Sequence, residues 1–109
     1  MTKESWDKRP PDLIADVKLY SPEVGGKTVA AQFGWGCPCF ASKNEAGGGW
    51  DARLQLGDDP FEPGTERRVG FAFLSQDGAE AMKRQGRFYL WEGRFIGEAT
   101  VVDNVLFPP

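Results

Sequence analysis

The sequence predicts an all-β domain, a six-stranded antiparallel closed β-barrel with Greek-key-like connections. Three observations carry that prediction. Short runs of strictly alternating apolar and polar residues recur along the chain, glycine- and proline-rich turns separate them, and only one stretch carries helical signals. Closing the sheet on itself would also remove the apolar strand edges that an open sheet would leave exposed.

The elements follow in order. Residues 1–11 read as a flexible leader that ends in Pro10-Pro11, where regular structure stops. The single domain then spans residues 12–109. Leu13, Ala15, Val17 and Leu19 fall on one face, with Asp12, Asp16 and Lys18 on the other, as a half-buried strand. A turn cluster runs from Ser21 to Gly26. Thr28–Phe33 is a second strand candidate, interrupted at Gly34 and Gly36, and Cys37–Ser42 is a third. The loop Asn44–Gly49 precedes Trp50, Ala52, Leu54 and Leu56, which share one face, so Trp50 is expected in the core. Asp58-Asp59-Pro60 ends that strand, and Pro63-Gly64 supplies the fixed and positive φ angles of a type II turn. Val69, Phe71 and Phe73 form the next apolar face. Asp77–Gln85 is the helical stretch, closed by Gly86. Phe88 and Leu90 alternate with Tyr89 and Trp91, Glu92-Gly93-Arg94 turns the chain, and Phe95–Val102 is the last strand.

Composition narrows the function. The 109 residues suffice for one core, with 40% hydrophobic and 13% aromatic residues, and no apolar run is long enough to span a membrane. The polar start lacks the apolar core of a signal peptide, so a cytoplasmic location is expected. With no histidine in the chain, Ser-His-Asp and Cys-His catalysis and histidine metal ligation are excluded, and no enzymatic activity is expected. The net charge of −3 disfavours a dedicated nucleic-acid binder. Residues 65–95 nevertheless hold Arg67, Arg68, Lys83, Arg84, Arg87 and Arg94 against four acidic residues. An RNA- or tRNA-contacting surface there is the alternative reading.

Several motifs imitate chemical sites. Gly25-Gly26-Lys27-Thr28 ends like a phosphate-binding P-loop, but that motif needs glycine at position 21, where Ser21 stands, and a helix after it. It reads as a turn, and no nucleotide is expected. Cys37-Pro38-Cys39 places two thiols on one face of a strand, too close in sequence for an unstrained disulfide and too few for zinc. They read as buried free thiols; a thiol-dependent enzyme is the weakest alternative. Asp58, Asp59 and Glu62 lack the spacing of a calcium loop and read as a solvated turn. No metal or other cofactor is expected. Trp35, Trp50, Tyr89 and Trp91 are candidates for a stacking surface or a protein hot spot, with one aromatic near Trp91 facing outward.

In this order the motifs resemble the C-terminal, third β-barrel domain of elongation factor Tu. Glu23–Thr28 falls where that family has a Glu-Gly-Gly-Arg turn, and Cys37-Pro38-Cys39-Phe40 keeps the proline and phenylalanine of its Tyr-Arg-Pro-Gln-Phe segment. Pro63-Gly64-Thr65 is similar to its Met-Pro-Gly-Asp turn. Gly86–Gly93 is similar to its Gly-Leu-Arg-Phe-Ala-Ile-Arg-Glu-Gly run, and Gly97 to a later Val-Gly. The resemblance covers about Leu13 to Val102. It implies a translation-factor-type barrel without an active site, which in the family packs on the GTPase domain and helps hold aminoacyl-tRNA and the exchange factor Ts. The family's tRNA-touching glutamine is Cys39 here, and the Glu92-Gly93-Arg94 turn is one residue shorter. The expectation is a non-enzymatic module for protein–protein interaction, related to translation. Its expected contact residues are Arg87, Trp91, Glu92, Gly93 and Arg94, with Cys39 and Gln32 as outer candidates.

Overall fold

A computed structural model describes residues 2–102. Residues 103–109, the end of the expected domain, lie outside the described residues. Six strands close a barrel: β1 (Leu13–Leu19), β2 (Gly36–Phe40), β3 (Trp50–Gln55), β4 (Glu66–Phe73), β5 (Arg87–Trp91) and β6 (Phe95–Val101). Their spatial order is β1-β4-β3-β2-β5-β6, and every pairing is antiparallel. Strands β2, β3 and β4 follow one another as neighbours, and the long connection from β1 to β2 lets β1 lie beside β4, which is the Greek-key arrangement.

Alternation builds the core. Leu13, Ala15, Val17 and Leu19 of β1, Val69, Phe71 and Phe73 of β4, and Phe88 and Leu90 of β5 all point inward and are buried. Phe71 packs edge-on to Phe88 at 5.2 Å between ring centroids, so β4 and β5 meet across the interior. A short helix, α1 (Lys3–Lys8), precedes the barrel, and a longer one, α2 (Gln76–Gln85), joins β4 to β5. Ser75 caps α2 through its side chain, which accepts from the Gly78 N–H, and Gly86 ends it in the left-handed conformation at φ 78°. Ala79 and Met82 of α2 are buried in the same core.

Three expectations are corrected. The leader contains α1, whose end is fastened to β3. The Gln55 side-chain amide donates to the carbonyls of Trp6 and Arg9, and Asp7 accepts from the Gly57 N–H. Thr28–Phe33 is not a strand; its one ladder contact is the bridge between buried Ala31 and buried Phe61. Trp50 leaves the core and is 39% exposed, because at the first position of β3 its side chain packs against Gly78 of α2.

Candidate partner-binding surface

The β5–β6 hairpin is the segment expected to carry contacts, and its local chemistry is fully visible. Gly93 adopts φ 75°, which only glycine takes without strain, and the Glu92 N–H donates to the Arg94 carbonyl at 2.8 Å. The hairpin is fastened to the turn that follows β1. There Pro22 opens a single 3-10 turn (Pro22–Val24) and Gly25 ends it at φ 95°. Gly26 is then required for lack of space: a Cβ on it would sit 1.8 Å from the Tyr20 carbonyl oxygen.

Two sets of contacts join hairpin and turn. The Arg94 guanidinium donates to the carbonyls of Gly25 (2.6 Å) and Gly26 (3.3 Å). The Glu92 carboxylate accepts from Lys27 Nζ at 2.7 Å on one oxygen and from the Trp35 indole N–H at 2.9 Å on the other. The Lys27 ammonium also stands over the Trp35 ring, 5.0 Å from its centroid. Burial pushes the Glu92 carboxyl up, but the bonds from Lys27 and Trp35 outweigh it and hold the group below its ordinary value. The lysine of the apparent P-loop ending is thus buried and committed to a carboxylate.

The expected contact residues therefore divide. Arg87 at the start of β5 is exposed, as is Gln32 in the loop after Ala31. Trp91 faces outward, half-buried, 6.3 Å from the ring of Phe40, and its indole N–H has no protein acceptor. Phe40 in turn meets Phe95 edge-on at 5.4 Å, and Gly49 covers its ring so closely that a Cβ would lie 2.7 Å from it. Glu92 and Arg94 are engaged within the chain. Cys39 is corrected as a contact residue: it is fully buried on the inner face of β2, where no macromolecule reaches it. Both cysteines are free and buried.

The basic stretch is also partly consumed. Arg67 donates to the carbonyls of Asp59 and Leu56, and Arg68 forms a two-pronged pair with Asp16. Lys83 and Arg84 lie in the last turn of α2 and Arg87 opens β5; of these, Arg84 lines a groove of about 270 Å³ with Trp50, Ala81 and Met82. What sequence reasoning missed is the pair of valines on the fastened loop, Val24 and Val29, which are 71% and 66% exposed. No periodic pattern marks them, because Val24 ends a single 3-10 turn and Val29 lies outside any strand or helix. Among the described residues, no group of three His, Cys, Asp or Glu side chains is placed to hold a metal ion. Nor is any helix among them long and apolar enough to cross a membrane.

No protein-family model matches the chain, and no curated protein matches it.

Proposed function

We propose that this chain is a non-enzymatic binding module that docks on a protein partner, in the manner of the elongation factor Tu C-terminal barrel it resembles. One observation supports this reading above the others. Val24 and Val29 stand in solvent on a loop held by the Lys27–Glu92 ion pair and the Arg94 bonds, so apolar area is presented on a fixed backbone. A contact surface that is already ordered loses little entropy on association. The resemblance supports a partner from the translation apparatus and a cytoplasmic setting.

The test is a photo-crosslinking amino acid placed in turn at Val24, Val29 and, as a control on the β6 face, Thr100. The same protein crosslinked from Val24 and Val29 but not from Thr100 supports the proposal. Equal capture from all three positions, or none from the valines, overturns it.

A further inference from the structure

The outer wall of the barrel carries a second constellation, separate from the valine-bearing loop. Tyr20 follows β1, Tyr89 lies in β5 and Glu98 in β6. Tyr89 and Glu98 are direct cross-strand neighbours, and the Tyr20 hydroxyl donates to Glu98 at 2.9 Å. The Tyr20 backbone N–H is itself bonded to the Ile96 carbonyl, so the framework of all three residues is set by the sheet. Into this corner reaches Lys43. Its ammonium sits 4.6 Å from the Tyr20 ring centroid and 5.5 Å from that of Tyr89.

The asymmetry between cage and occupant is informative. The two rings and the carboxylate are half-buried, Tyr89 and Glu98 within strands and Tyr20 directly after β1, whereas Lys43 arrives from residues 41–49, every one of which is exposed. Two π faces beside a carboxylate select a cation. They offer few acceptors for the three N–H groups of a primary ammonium, which is strongly hydrated. A methylated ammonium carries the same charge with less water to shed, and therefore suits such a corner better. The Tyr20 oxygen foremost, and the neighbouring charges after it, hold the Lys43 ammonium above its ordinary value, in keeping with a corner that favours positive charge.

We propose that Tyr20, Tyr89 and Glu98 form a binding site for a quaternary ammonium group, with Lys43 as its displaceable internal occupant. The site does not depend on the protein-docking surface at Val24 and Val29. Removing the occupant should open it, while an arginine in its place should keep it closed.

The experiment titrates the full chain and its Lys43→Ala and Lys43→Arg variants with tetramethylammonium chloride, at ionic strength held constant with sodium chloride. Ring-proton shifts of Tyr20 and Tyr89 are followed by NMR. Lys43→Ala should show saturable shifts with a Kd on the order of 10 mM or tighter. Its affinity should exceed that of the unmodified chain by roughly threefold, the scale of one solvent-exposed cation–π contact. Lys43→Arg should match the unmodified chain, and adding Tyr89→Ala to Lys43→Ala should abolish the response. Equal binding by neutral neopentyl alcohol, or no saturable shift in Lys43→Ala, overturns the proposal. Binding of either choline or Nε-trimethyllysine amide by Lys43→Ala supports it, their order separating a small-molecule source from a modified side chain; failure of both overturns it.

Discussion

Lys27 Nζ lies 2.7 Å from the Glu92 carboxylate, joining the turn after β1 to the β5–β6 hairpin across 65 residues of chain. The lysine side chain is 7% exposed and the glutamate 45%, so the two partners are not equivalent. Glu92→Ala leaves a buried ammonium without its counter-charge and should cost about 2 kcal/mol. Lys27→Met leaves only a carboxylate that water can reach, and should cost less. Urea unfolding of both variants and of the double variant checks the order and the coupling.

The same pair gives a pH dependence of known sign. Glu92 is held below its ordinary carboxyl value in the folded chain. Its contribution is fully present above the unfolded value of about 4.3 and is lost as pH falls through the lower folded value. The stability difference between the unmodified chain and Glu92→Gln should therefore be flat above that range and shrink below it. Denaturant midpoints taken from pH 7 down to pH 3 would show this; a difference that grows on acidification contradicts the assignment.

Three glycines should rank by space and backbone. Gly26→Ala forces a Cβ to within 1.8 Å of the Tyr20 carbonyl and should cost about 3 kcal/mol or more, since backbone must move. Gly25→Ala has open space but φ 95°, and should cost about 1–2 kcal/mol. Gly47→Ala has neither constraint and should stay within about 0.5 kcal/mol. Thermal unfolding of the three variants measures the ranking.

The thiols should be inert in the folded state. Burial pushes the Cys39 thiol well above the ordinary range, with the neighbouring Cys37 adding to the effect, and both side chains are shielded from solvent. Iodoacetamide at neutral pH should leave the native chain unmodified over a time in which the urea-unfolded chain takes up two adducts, read by intact mass.

How far the fold could be read from the sequence depended on where each residue's constraint came from. The β1 face from Leu13 to Leu19 and the β4 face from Val69 to Phe73 follow from period-2 alternation, which is a local property. The helix from Gln76 to Gln85 carries its own start and stop in Ser75 and Gly86. By contrast, α1 spans six residues, too few to be stable alone, and owes its place to Gln55 and Gly57 far along the chain. Trp50 fits its strand's apolar face by spacing, yet at the strand's first position the side chain meets α2 rather than the interior.

The candidate surface divides in the same way. That Tyr89 and Trp91 share one face and Phe88 and Leu90 the other was legible; that Phe88 and Leu90 are the buried pair is decided by the fold. That Glu92 and Arg94 would be spent on Lys27, Gly25 and Gly26 was not, since nothing near the hairpin in sequence signals those partners.

The amino-acid sequence by itself determined the alternating strands, their turns and therefore a closed antiparallel barrel, because side-chain alternation and turn chemistry act over a few residues. Only the tertiary structure decided which charges meet, which valines stay in solvent and which cation the Tyr20–Tyr89 corner holds. Those outcomes depend on the pairing of β1 with β6 and of β2 with β5, strands far apart along the chain. The register of such distant pairs places side chains beside neighbours that no local pattern specifies.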